Sequence, residues 1–173
     1  MKGWVTINTD AGFYPIEKIG SYAYWIKADG LFLKGSGVFK DACKSPLEAE
    51  FRAIINAIHI LDTSGYIGIT KIVFNRDNIY TGAKKKGNFY EQMLADKIRK
   101  LRKKCNYNDP EPFYEFRHVK AHTRITAARF YVNSWCDQEC KKQLREYKQK
   151  LCISKQKTGT NGTCSDTEDS HHQ

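Results

Sequence analysis

Four carboxylates stand where the chain changes from one kind of element to another: Asp10, Glu50, Asp77 and Asp137. Asp10 closes a run of alternating β-branched and polar residues that begins at Trp4, and Asp77 follows the apolar triplet Ile72, Val73 and Phe74. Glu50 lies in the first turns of a helical pattern, and Asp137 opens the last one. If the two strands are neighbours in a sheet, Asp10 and Asp77 leave it at the same edge, and Glu50 and Asp137 close around them from two helices. Carboxylates facing one another cannot all stay ionised without a cation, and oxygen donors suit a hard divalent ion such as Mg²⁺. Two such ions roughly 4 Å apart activate a water and stabilise the leaving oxygen in phosphodiester hydrolysis.

The elements that must position these groups can be read from periodicity. After the strand from Trp4 to Asp10, two β-rich runs, Ser21 to Ala28 and Leu31 to Phe39, meet at Asp29-Gly30, a strong hairpin signal. From Ser45-Pro46 the period changes: Leu47, Glu50, Ala53, Ile54, Ala57, Ile58 and Leu61 recur at three and four, with Ser45 as N-cap and Pro46 in the first turn. This predicts a helix of about four turns. A short strand follows over Lys71 to Asn75, then a brief helix opened by Asp77, a helix over Phe89 to Cys105, a strand over Tyr114 to Val119, and a last helix from about Asn133 to Leu151. An opening meander followed by crossovers implies an α/β fold with one five-stranded mixed sheet, antiparallel then parallel, flanked by helices.

At 173 residues, one catalytic-size domain over residues 1–153 accounts for the chain, with a disordered polar tail over 154–173, where Cys164 is the only apolar residue. No run reaches the length of a membrane span, and Met1 leads directly into a strand pattern, so a cytoplasmic protein without a membrane partner is expected. Six scattered cysteines then read as free thiols. The formal net charge of +10 points to a polyanionic partner. Nine basic and two acidic residues between Lys84 and Lys104 place +7 of that charge in one segment, where Lys and Arg can neutralise phosphates without reading sequence.

Five landmarks in order resemble type 1 ribonuclease H: Thr9-Asp10-Ala11-Gly12, Ser45-Pro46-Leu47-Glu48-Ala49-Glu50 with Ala53 and Ala57, Asn75-Arg76-Asp77, Val119-Lys120-Ala121-His122, and Asn133-Ser134-Trp135-Cys136-Asp137. The resemblance covers about Val5 to Lys142. It implies the RNase H-like fold and an endonuclease that cuts the RNA strand of RNA–DNA hybrids with two Mg²⁺ or Mn²⁺ ions, leaving 3′-hydroxyl and 5′-phosphate ends. By position it makes Asp10, Glu50, Asp77 and Asp137 the metal ligands, with Glu50 near the substrate 2′-hydroxyl, and His122 the loop histidine that positions water, transfers a proton or assists product departure. It also places Lys84, Lys85 and Lys86 in the basic substrate-binding region. Arg124 and Arg129 fall in the loop leading to the last helix, within reach of phosphate, and a monomer is expected. The sequence departs from the family at Pro46 and Leu47, where several members carry asparagines that contact the hybrid, and at Ile79, where a glutamine is common.

Rival readings remain beside this one. Glu48 competes with Glu50, and the register fixed by Ala53 and Ala57 favours Glu50, leaving Glu48 to complement the helix dipole. His118, His122, Cys136 and Cys140 resemble a zinc pattern, but four residues along a strand cover about 13 Å, too far to chelate one ion without a sharp turn. Cys136 and Cys140 share a helical face better used against the sheet. Two other functions fit the same features: a structure-specific or single-strand nuclease on the same scaffold, and a catalytically inactive hybrid-binding module that needs no metal.

Overall fold

The computed structural model describes residues 3–76, 82–84, 86–119 and 128–157. Five strands form one sheet in the order β3-β2-β1-β4-β5: β1 (Trp4–Tyr14), β2 (Ile19–Ala28), β3 (Leu31–Val38), β4 (Lys71–Arg76) and β5 (Tyr114–His118). β1 pairs antiparallel with β2, and β2 with β3, whereas β1–β4 and β4–β5 are parallel. The helices are α1 (Pro46–Thr63), α2 (Phe89–Lys104) and α3 (Ala128–Lys157). The mixed α/β sheet expected from the sequence is therefore present. At the hairpin between β2 and β3, Ala28 faces Leu31 and Gly30 takes a φ of 73°, a left-handed conformation that glycine adopts without a Cβ clash.

The pleat divides the sheet into two faces. Val5 and Ile7 of β1, Ile26 of β2, and Ile72 and Phe74 of β4 point into one core with Phe51, Ile54, Ile58 and Leu61 of α1 and Leu94, Ile98 and Leu101 of α2. Each such fully buried side chain contributes roughly 1.5–3 kcal/mol. The opposite face carries Ala23 of β2 with Cys136 and Cys140 of α3, flanked by Trp25 and Trp135. α1 starts where it does because the Ser45 Oγ accepts from the Glu48 N–H at 3.1 Å and Pro46 occupies the first turn. α2 begins in a capping box, with Asn88 accepting from the Glu91 N–H and the Glu91 carboxylate accepting from the Asn88 N–H at 2.8 Å.

Three boundaries differ from the sequence reading. β1 does not end at Asp10: Ala11, Gly12, Phe13 and Tyr14 go on pairing with Tyr22, Ser21, Gly20 and Ile19, so the antiparallel partner prolongs a strand whose local pattern has stopped. α3 begins at Ala128, ahead of Asn133, so Asp137 lies in its third turn and does not open it. It also runs past Leu151 to Lys157; residues 158–173 lie outside the described residues, as does the brief helix expected after Asp77. Cys43, Cys105, Cys136 and Cys140 are free thiols as expected, and Cys152 departs from that expectation in being disulfide-bonded. Among the described residues, no helix is long and apolar enough to cross a membrane.

Because the Ser45 cap sets the start of α1 and hence the height of Glu50, Ser45→Ala is expected to lower the unfolding free energy by about 1 kcal/mol. Urea unfolding checks this as a lower midpoint with an unchanged slope.

Candidate active site

Asp10 sits where β1 parts from β4. The parallel pairing ends at Asn8↔Asn75, while the antiparallel pairing carries Asp10 opposite Ala23. The two partners of β1 thus part at the carboxyl end of β4, the end of a parallel pair at which α/β sheets bind ligands. Asp10 is 5% exposed, and one of its oxygens accepts from the Ala11 N–H at 2.8 Å. Its pleat partner Asn8 faces the same side, with its side-chain oxygen buried and without a hydrogen-bond partner.

α3 brings the second carboxylate to this point. One oxygen each of Asp10 and Asp137 and the Sγ of Cys140 all lie within 4.8 Å of one another. The approach depends on a close fit between helix and sheet. The buried Ser21 hydroxyl of β2 donates to the Cys140 carbonyl at 2.7 Å, and a Cβ on Gly12 would come within 2.7 Å of that same Ser21 oxygen and 2.6 Å of Leu144. A side chain at Gly12 of Thr9-Asp10-Ala11-Gly12 would therefore displace the Leu144 or Ser21 side chain that packs there between α3 and the sheet.

Glu50 comes from α1, which packs on the other face of the sheet. Its charge acts on Cys140, together with those of Asp10 and Asp137, and on Arg76, the last residue of β4. Burial first, and these three carboxylates next, push the Cys140 thiol up, so it remains a neutral S–H, donating to the Asp137 carbonyl at 3.2 Å. The hydrogen bond to Asp137, whose oxygens lie 2.8 and 2.9 Å from its Nζ, raises Lys141. Burial lowers Arg76, and the charge of Glu50 opposes that shift.

Glu48 is committed elsewhere. One of its oxygens accepts from the Lys44 N–H at 3.1 Å, the other lies 3.5 Å from Arg52, and it takes a hydrogen bond from Tyr90. Burial and that bond push the Tyr90 hydroxyl up to about 12. The residue nearer the N-terminus thus joins α1 to α2, and the one two positions on acts on Cys140 and Arg76.

The donor set fits a hard divalent ion. Asp10 and Asp137 supply carboxylate oxygens of the kind such an ion takes, with the Cys140 sulfur beside them. The zinc pattern does not assemble among the described residues: Cys136 and Cys140 are buried against β2, whereas His118 ends β5 at the far edge of the sheet.

Asp77, His122, Lys85 and Arg124 lie outside the described residues, as does the side chain of Arg129. Lys84 and Lys86 are exposed, and Lys84 is paired with the capping carboxylate of Glu91 at 3.0 Å. The basic run does not form one patch. α2 lies beside α1 in the same direction, with Tyr90 at Glu48 and Lys104 bound to Asp62 at 2.7 Å, so Arg99 to Lys104 sit at the end remote from Glu50. Sequence reasoning missed Arg76, Cys140 and Lys141 as neighbours of the carboxylates. The signal was present, since Arg76 precedes Asp77 and the other two follow Asp137 at three and four residues, one helical turn. Two hollows, of about 570 Å³ between α1 and α2 and about 580 Å³ between α2 and β5, are lined by residues outside this group. The carboxylates are gathered on an open edge.

No protein-family model and no curated protein sequence matches the chain. Solved structures do. Ribonuclease H1 of the halophilic archaeon Halobacterium salinarum superposes with a TM-score of 0.53 at 16% identity, covering 83% of this chain and 99% of that one. The N-terminal RNase H domain of a Mycobacterium tuberculosis protein gives 0.53 at 14%, covering 83% and 98%. The compost-derived LC11 ribonuclease H1, in a complex with an RNA/DNA hybrid, gives 0.51 at 18%, covering 81% and 99%. The fold is that of ribonuclease H. On this ribonuclease H scaffold, the ends of β1 and β4 and the faces of α1 and α3 converge on Asp10.

The carboxylates of Asp10 and Asp137, brought within 4.8 Å of one another, repel in the metal-free site. Mg²⁺ is therefore expected to raise the melting temperature, by the equivalent of about 2.7 kcal/mol at one hundred times its dissociation constant. Asp10→Asn should melt higher than the parent in EDTA and lose most of the Mg²⁺ response, which differential scanning fluorimetry checks.

Proposed function

We propose that this chain is a metal-dependent endoribonuclease that hydrolyses the RNA strand of RNA–DNA hybrids, acting as a cytoplasmic monomer. The observation that carries the reading is the meeting of Asp10 and Asp137, from the first strand and last helix of a ribonuclease H fold, with Glu50 alongside. Support for the substrate comes from the LC11 ribonuclease H1, which was solved with an RNA/DNA hybrid.

Asp10, Glu50, Asp77 and Asp137 are the proposed ligands, and two Mg²⁺ or Mn²⁺ ions held by them would activate water and stabilise the leaving 3′-oxygen. Asp10 is fixed by its strand on both sides and by the Ala11 N–H, so its oxygens are presented without reorganisation. Asp137 comes forward from a helix pinned at Cys140, which sets its distance to Asp10. Lys141 pairs with Asp137 at 2.8 Å and holds its carboxylate in place. His122 is proposed as the group that positions water or moves a proton, a role suited to a side chain that titrates near neutrality. Lys84, Lys85, Lys86, Arg124 and Arg129 are proposed to hold phosphates. Products with 5′-phosphate and 3′-hydroxyl ends follow from water attacking phosphorus with the 3′-oxygen leaving.

The test is one labelled sequence offered as RNA–DNA hybrid, duplex RNA, duplex DNA and single strands, with Mg²⁺ and with EDTA. Metal-dependent cutting of the RNA in the hybrid alone is expected; cutting of DNA or of single strands would move the substrate, and no cutting of any substrate would overturn the enzyme reading. Asp10→Asn is expected to reduce cleavage by at least a thousandfold while hybrid affinity, read by fluorescence anisotropy, stays within a few-fold.

A further inference from the structure

α3 does not end with the residue it contributes to the candidate site. Beyond Asp137 it runs on to Lys157, and the residues at helical spacing from Asp137 are Lys141, Arg145 and Lys148. All three are exposed.

The two flanks of the helix differ in charge. The acidic residues of this stretch lie on the other flank, where Glu139 accepts from the Ser36 hydroxyl of β3 at 3.2 Å and pairs with Lys142 at 3.9 Å. Glu146, at seven residues from Glu139, continues that side. The flank bearing Asp137 faces β1, where the Lys148 Nζ lies 3.6 Å from the centroid of the Tyr14 ring. Neither Arg145 nor Lys148 forms an ion pair among the described residues. On α2, Arg99 is held by Asp96 and Lys104 by Asp62, and Arg102 donates to the Tyr107 and Asp109 carbonyls, whereas Lys97, Lys100 and Lys103 form no ion pair among the described residues.

We infer that Arg145 and Lys148 form a track for the sugar-phosphate backbone, which carries nucleic acid away from the carboxylates along α3. This deepens the nuclease reading and rests on it for the choice of polymer. From Asp137 to Lys148 the track is about 16 Å long at 1.5 Å per residue, which corresponds to roughly five base pairs of duplex rise. Arg145 and Lys148 are therefore two contacts on one continuous backbone, and Tyr14 holds the Lys148 ammonium at the far end. Such contacts set register and affinity and read no sequence.

Binding of a 20-base-pair RNA–DNA hybrid in EDTA, followed by anisotropy across a salt series, tests the track with the full chain. Arg145→Gln combined with Lys148→Gln is expected to weaken binding about tenfold and to reduce the slope of log affinity against log salt by roughly two. Lys100→Gln with Lys103→Gln removes the same charge from the far end of α2 and should change affinity less than twofold. Arg145→Lys with Lys148→Arg, which keeps the charges, should bind as the parent does and exclude a folding defect as the cause. Equal losses from the α2 and α3 pairs would mean a diffuse field and overturn the track, as would an unchanged affinity for the α3 pair or a parent that does not bind the hybrid. A parent that binds through α3 and cuts nothing would overturn the nuclease reading and leave the track standing.

Discussion

The contact between α3 and the first two strands governs the rest of the candidate site. Ser21 donates to a carbonyl 119 residues away in sequence, inside a layer thin enough that a methyl group on Gly12 would collide with its oxygen. A hydroxyl buried there without its acceptor would cost about 1–3 kcal/mol, so the helix has one seating depth. That depth sets the separation of Asp10 and Asp137. Neighbouring details follow from it: the Cys140 thiol is enclosed because the helix sits close, and it stays protonated because it is enclosed among carboxylates.

Much of this arrangement is legible in the residues, and the failures have physical causes. The α1 helix reads cleanly because one face alone is buried, so Ala53, Ile54, Ala57 and Ile58 keep strict helical period. The α3 start does not, because among the described side chains of its first turn none is buried, and the buried series begins only at Asn133 and continues through Cys136 and Cys140. Cys136 and Cys140 face Ala23, while Trp135 meets Trp25 with centroids 5.2 Å apart. β1 was read short for a different reason. Ala11-Gly12 has no strand pattern of its own, and the strand persists there because β2 supplies the hydrogen bonds.

Charge was the least legible feature. Counting along the chain joins Lys84 to Lys104, but a sixteen-residue helix spans about 24 Å and carries its two ends to opposite sides of the domain. The arrangement of α3 reverses the lesson. Its cations are diluted in sequence by Glu139 and Glu146, and only helical geometry sorts the two signs onto separate flanks. Glu48 and Glu50 show the same effect at the smallest scale, since two residues along α1 separate a carboxylate that joins helices from one whose charge acts on Cys140.

The order in which the carboxylates occur along the chain has a consequence for biosynthesis. Asp10 and Glu50 leave the ribosome early and Asp137 late, from the last described element. A nascent chain that has already paired β1, β2 and β3 holds only part of the charge cluster, and its Cys140 partner for Ser21 has yet to be made. The complete group, with its repulsion and its affinity for cations, comes into being only when α3 docks. Metal affinity would therefore arise at the end of folding, after the sheet is already in place.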